Sequence, residues 1–124
     1  MYTREVLDHF EHPRNAGTIA EPDALVQIEN PACGDVLKLS LKVAGDQIVD
    51  IRFLAKGCVC SIACGSALTE LALGKTLVQA RELTREELIS SVGGLPPAST
   101  HAAHLAMDAL AAVLDQIAAK KPVK

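Results

Sequence analysis

Aromatic residues are nearly missing from this sequence: there is no tryptophan, and Tyr2, Phe10 and Phe53 are its only aromatics. Apolar residues still make up 49% of the chain, so Ala, Leu, Val and Ile have to fill the interior, a composition that suits closely packed small helices. Also missing is any uninterrupted apolar run near the roughly 20 residues that span a bilayer. The opening MYTREVLDHF carries charge where a secretory leader needs its apolar segment. The expectation is a cytoplasmic protein with no membrane attachment. Lysine and arginine form no cluster apart from Lys120, Lys121 and Lys124, and the net charge is −3. A surface that tracks phosphates is therefore not expected, and nucleic acid is not an expected partner. Repeats and low-complexity segments are absent as well. At 124 residues the chain has the size of one domain, 1–124, large enough to bury a core without staples.

What the sequence does have is thiols in an unusual arrangement. Three of its four cysteines, Cys58, Cys60 and Cys64, fall within seven residues. In a reducing compartment these remain thiols, and such crowding points to chemistry rather than to disulfides.

Around the thiols the pattern reads as strands followed by helices. Val6, Leu7 and Phe10 recur at helical spacing over Arg4 to His12, and Pro13, Asn15 and Gly17 end that lead helix. Val26 and Ile28 alternate with polar neighbours between Ala24 and Glu29. Leu37, Leu39, Leu41 and Val43 then alternate with Lys38, Ser40 and Lys42, the pattern of a half-buried strand. After a turn at Ala44-Gly45-Asp46, Val49, Ile51 and Phe53 alternate with Asp50 and Arg52, which predicts an antiparallel hairpin. Past Gly57, Ser61 is placed to cap a helix whose apolar stripe is Ile62, Leu68, Leu71 and Ala72 and which Gly74 closes. Thr84 and Glu87 form a capping box before Leu88, and no helix can cross Gly93-Gly94-Leu95-Pro96-Pro97. A last helix from about Ser99 to Ala118 buries Ala102, Leu105, Ala106, Ala109, Val113 and Ile117, and Lys120-Lys121-Pro122 finishes it. The predicted fold class is α+β: a small three-stranded antiparallel sheet with helices packed on one face.

This layout gives the chemistry-bearing residues a common address. In Asn30-Pro31-Ala32-Cys33-Gly34-Asp35, Pro31 stiffens the backbone and Gly34 permits a tight bend, so a thiolate and a carboxylate are presented together at the start of the best strand. Cys58 follows the last strand, and the up-and-down topology returns it to the same end of the sheet as Cys33. It also precedes a helix N-terminus, where positive partial charge favours the thiolate that iron or zinc requires. Cys60 and Cys64 are four residues apart, on one helix face. His101 enters the last helix as a candidate nitrogen donor. Plain packing reads equally naturally for Cys64 in its Ala-rich helix. Cys60 has a further reading as a spare thiol for sulfur relay. His9 and His12 read as surface or partner contacts, and His104, with Asp108, as solvated surface.

Asn30 to Asp35, Gly57-Cys58, Ser66 to Glu70, Leu95-Pro96-Pro97 with His101, and the lead segment Asp8 to Asn15 together resemble the hallmarks of IscU/NifU-type iron-sulfur cluster scaffolds, in order and spacing, over nearly the whole chain. The resemblance implies a non-enzymatic α+β scaffold that holds a transient [2Fe-2S] cluster, with sulfurtransferase activity left open. It also implies a cysteine desulfurase as sulfur donor, apo iron-sulfur proteins or a carrier as acceptors, and a frataxin-like protein as a further partner. Two departures stand out. The family's third cysteine, its usual persulfide acceptor, aligns with Ala102. Ala98-Ser99 replaces the lysine-containing stretch after the double proline, which speaks against a specialised Hsp70 chaperone. The ligand set implied is Cys33 and Cys58 as fixed ligands, Cys64 or Cys60 in place of the missing cysteine, and Asp35 or His101 as a labile fourth, with four cysteines as the competing set. An oxygen or nitrogen donor at one corner eases cluster release. The alternative is a sulfur-transfer protein of the SufU kind holding Zn²⁺, and zinc also competes for the scaffold's own site.

Overall fold

The computed structural model describes residues 2–30 and 34–120. Cys33 therefore lies outside the described residues, as do Lys121 and Pro122. Three strands, β1 (Ala24–Asn30), β2 (Asp35–Ala44) and β3 (Gln47–Lys56), form an antiparallel sheet in the order β1-β2-β3. Asn30 pairs with Asp35 at one end, and Ala24 with Leu41 at the other. The alternation on β2 does what the sequence predicts: Leu37, Leu39 and Leu41 are buried on the helical side.

On β3 the expected phase fails at one residue. Lys42 pairs with Asp50 but Val43 pairs with Ile48, so Val49 is the extra residue of a β-bulge. Ile48 and Ile51 consequently both point into the core, and Val49, predicted to face inward, is half exposed. The free edge of β3 is covered by the segment after the lead helix, where Gly17 N donates to Phe53 O at 2.9 Å and Phe53 N to Asn15 O at 3.1 Å.

Two long helices, α2 (Val59–Ala72) and α5 (His101–Lys120), lie on one face of the sheet, α2 against β3 and α5 against β1 and β2. α1 (Arg4–Glu11) and α4 (Arg85–Ser91) pack on the far side of α2. Enclosure on nearly all sides explains why α2 has no single apolar stripe: Cys60, Ala63, Cys64, Ser66, Ala67, Leu68 and Thr69 are all buried, whereas Ile62 and Leu71 are only half-buried. Its cap also differs from expectation. Cys58 is the N-cap and Ser61 lies inside the first turn.

Thr84 and Glu87 form the expected capping box of α4. A second capping box, Thr76 with Gln79, starts a short helix that the sequence reading did not anticipate, α3 (Leu77–Arg81). A 3₁₀ turn at Pro97–Ser99 precedes α5. That turn and α5 together are long and apolar enough to cross a membrane by length and composition alone, although Asp108 and Asp115 interrupt the run, and half of its most apolar window is buried inside the domain. On α1, Val6 is buried as expected, while Leu7 and Phe10 are largely exposed. His9, expected at the surface, is buried with Nδ1 2.7 Å from Ser66 Oγ. His104 is exposed, as predicted.

Candidate metal centre

Three elements begin at the same end of the sheet, and each presents one metal-ligating side chain there. Asp35 opens β2, Cys58 caps α2 and His101 is the first residue of α5. One ligand atom from each lies within 4.8 Å of the other two. Asp35 is buried, while Cys58 and His101 are half-buried, so solvent reaches the cluster from the thiol and imidazole side.

The cluster is tied together by hydrogen bonds. Asp35 Oδ1 accepts the backbone N–H of Cys58 at 3.3 Å, and Oδ2 accepts the Ser61 hydroxyl at 2.7 Å. His101 Nε2 lies 3.0 Å from the same Oδ2. Cys58 Sγ lies 3.3 Å from Ser61 Oγ, 3.9 Å from His101 Nε2 and 4.0 Å from Asp35 Oδ2. On the far side of the ring, His101 Nδ1 is 3.2 Å from Ala98 O. A carbonyl only accepts, so the contact with Ala98 O calls for the proton on Nδ1 and turns Nε2 toward Asp35 and Cys58.

Gly57 is what lets Asp35 come so close to the start of α2. Its φ is +142°, and a Cβ there would stand 2.1 Å from Asp35 Oδ1.

The other two described thiols sit elsewhere. Cys60 and Cys64 share a face of α2, as their spacing predicts, but both are fully buried in the hydrophobic core and neither belongs to the cluster. Burial pushes the Cys60 thiol up, an effect opposed by a hydrogen bond with Ser99. Burial pushes Cys64 up to about 12, so at neutral pH it is a protonated, apolar thiol. A cleft of about 380 Å³ between α3 and the C-terminal half of α5 is mainly apolar. It carries no donor set of this kind.

Sequence reasoning missed two groups. Ser61 was read as a cap, yet its side chain bridges Asp35 and Cys58. The other is His9 with Ser66, Arg14 and Glu70: Ser66 Oγ accepts Arg14 N–H at 2.8 Å, and His9 Nε2 lies 3.5 Å from Glu70. The helical register of Ser66 and Glu70 on one face of α2 was the available signal for this second group.

A thiol, a carboxylate and an imidazole converge at one end of a three-stranded α+β domain, a mixed S/O/N set that could hold a metal ion. Residues 1–123 match the family described as NifU-like N terminal domain, and the chain belongs to that family. It is 43% identical over 110 residues, 89% of this chain and 72% of the relative, to iron-sulfur cluster assembly scaffold protein IscU 1 of Archaeoglobus fulgidus. Identity to the IscU scaffold protein of Escherichia coli K12 is 37% over 127 residues, covering 99% of this chain and 98% of the relative. Among solved structures, a scaffold protein for the SUF system from Fervidobacterium islandicum superposes with a TM-score of 0.79 at 23% identity, covering 91% of this chain and 96% of that one. That likeness supports the fold.

Proposed function

We propose that this chain is a non-enzymatic scaffold on which an iron-sulfur cluster is assembled and from which it is passed on. The carrying observation is the convergence of Asp35, Cys58 and His101 within 4.8 Å. Cys33, two residues before Asp35 in the chain, supplies the second thiolate, giving a Cys33, Asp35, Cys58, His101 set. Iron-sulfur clusters are held mainly by thiolates, and replacing two of four by a carboxylate and an imidazole weakens the hold, as a donor of clusters requires. This reading departs from the sequence expectation that Cys64 or Cys60 stands in for the missing cysteine, because both thiols face the core.

Among the described thiols only Cys58 is open to solvent, so it is the acceptor for sulfur brought by a cysteine desulfurase. Its thiolate attacks the outer sulfur of the desulfurase persulfide, forms Cys58–S–SH and releases the desulfurase thiolate. Apo iron-sulfur proteins then collect the finished cluster, of the [2Fe-2S] type.

The chemistry of the same donors favours a second reading. A tetrahedral S/O/N set is also what zinc accepts, and a zinc-holding sulfur carrier is the competing function. Anaerobic reconstitution with ferrous iron and sulfide separates the two. The scaffold reading expects visible charge-transfer absorbance that Cys33→Ser and Cys58→Ser each abolish. A folded protein that stays colourless under these conditions and holds zinc instead would overturn it.

A further inference from the structure

We propose that Ser61 is a positioning residue of the metal centre, whose hydroxyl locks Cys58 and Asp35 into one ligating geometry and donates a hydrogen bond to the sulfur once metal is bound. The proposal rests on the reading of Asp35, Cys58 and His101 as metal-holding.

Ser61 is almost fully buried, at 4% exposure, in the first turn of α2. Its backbone N–H bonds to Cys58 O at 3.1 Å, so the turn fixes where the side chain stands relative to the N-cap. From there Oγ reaches Asp35 Oδ2 at 2.7 Å and Cys58 Sγ at 3.3 Å, both shorter than the direct Sγ–Oδ2 approach of 4.0 Å. The hydroxyl thus spans two of the three corners of the cluster.

A hydroxyl has one proton to give and lone pairs to accept with. With a protonated Cys58 it accepts from the thiol and donates to Asp35. With Cys58 as a metal-bound thiolate nothing is left to accept, and the single proton serves the two anionic ligands beside it. Residues that orient metal ligands in this way typically contribute about 10- to 100-fold in metal affinity. A hydrogen bond to a ligating sulfur also lowers the energy of its lone pairs and moves sulfur-to-metal charge transfer to higher energy. A serine that merely filled the turn would do neither.

Anaerobic titration with Co²⁺, followed by its sulfur-to-cobalt charge-transfer band, tests this. Ser61→Ala is expected to weaken Co²⁺ binding by about 10- to 100-fold and to move the band to lower energy. Ser61→Thr, which keeps the hydroxyl, is expected to retain both properties, and Ser61→Val, its isostere without the hydroxyl, to lose both. The Thr and Val pair decides the matter at matched bulk should the alanine variant fold poorly. Wild-type affinity and band position in Ser61→Ala, or equal behaviour of the Thr and Val variants, would overturn the proposal. Failure of the underlying reading looks different: Cys58→Ser would then keep the full intensity of the band.

Discussion

Gly57→Ala tests the close approach that builds the site. The added Cβ would stand 2.1 Å from Asp35 Oδ1, 2.7 Å from Asp35 Cγ and 3.1 Å from Asp35 Cα, so the carboxylate has to retreat by more than about 1.3 Å before contact becomes ordinary. It has nowhere easy to go, because Oδ2 is held by Ser61 at 2.7 Å and His101 at 3.0 Å. Loss of one charge-assisted hydrogen bond to this buried carboxylate costs about 1.5–3 kcal/mol. Holding alanine at φ +142° adds backbone strain of about 1–3 kcal/mol. Taking about 2.5 kcal/mol as the low end of the sum, and about 4 °C per kcal/mol for a domain of this size, Tm should fall by roughly 10 °C. Gly45→Ala is the control: Gly45 also has positive φ, +61°, but a Cβ there meets nothing within 4 Å, so only backbone strain remains. Thermal melts followed by circular dichroism, with and without Zn²⁺, give the readout. The proposed metal site predicts that Zn²⁺ raises the wild-type Tm and that Gly57→Ala loses this rise. If Gly57→Ala melts no lower than Gly45→Ala and keeps its metal response, the steric argument is wrong.

Iodoacetamide under native conditions should modify Cys58 and leave Cys60 and Cys64, both at 0% exposure, unmodified until denaturant is added; mass spectrometry that finds Cys64 alkylated in the folded protein would contradict its burial. The Cys64 thiol titrates near 9.0 when unfolded and is pushed up to about 12 by folding, so the unfolded chain loses its proton first. Stability should therefore fall by about 1.4 kcal/mol per pH unit as pH rises from 9 toward 12, and Cys64→Ala should remove that component from urea midpoints measured at pH 8 and 10. His9 behaves in the opposite sense: burial, reinforced by Arg14 and offset by Glu70 and Asp8, lowers its imidazole below 6.5. The stability this represents is present above pH 6.5 and is lost as pH falls through that value, so His9→Asn should be less acid-sensitive than the wild type between pH 7.5 and 5.

The strand pattern was legible because β2 is covered on one face and open on the other, which forces period two. Where a local irregularity intervened, the pattern misled. One extra residue at Val49 flips the phase, and nothing in a Val, Ile and Phe alternation announces a bulge. Helix α2 failed for a related reason. Amphipathic reasoning needs a wet face, and a helix wedged between the sheet, α1, α4 and α5 has almost none, so small residues occupy every side. At Gly65 a Cβ would come within 2.6 Å of the Phe53 ring, which shows how close that packing is. The capping boxes of α3 and α4 have the same form, and the first escaped notice only because its helix is five residues long.

At the site, topology was the readable part and side-chain direction was not. Asp35 and Cys58 could be assigned to one end of the sheet because an up-and-down sheet returns the end of β3 to the start of β2, whereas His101 joins them only because α5 packs beside that junction, which sheet topology does not dictate. Cys60 and Cys64 share the spacing of a ligand pair, but spacing along a helix fixes only that two residues share a face. Which face is wet depends on what packs against the helix. Here the N-cap position separates the thiols: Cys58 precedes the first turn and stays at the rim, while Cys60, two residues on, has already rotated into the core. Thiols that look equivalent in the sequence thus divide into one at the rim, beside Asp35 and His101, and two in the core, according to one turn of helix. The proposed Cys33, Asp35, Cys58, His101 set would stand on two thiolates, and the loosened hold proposed for this scaffold follows from that count.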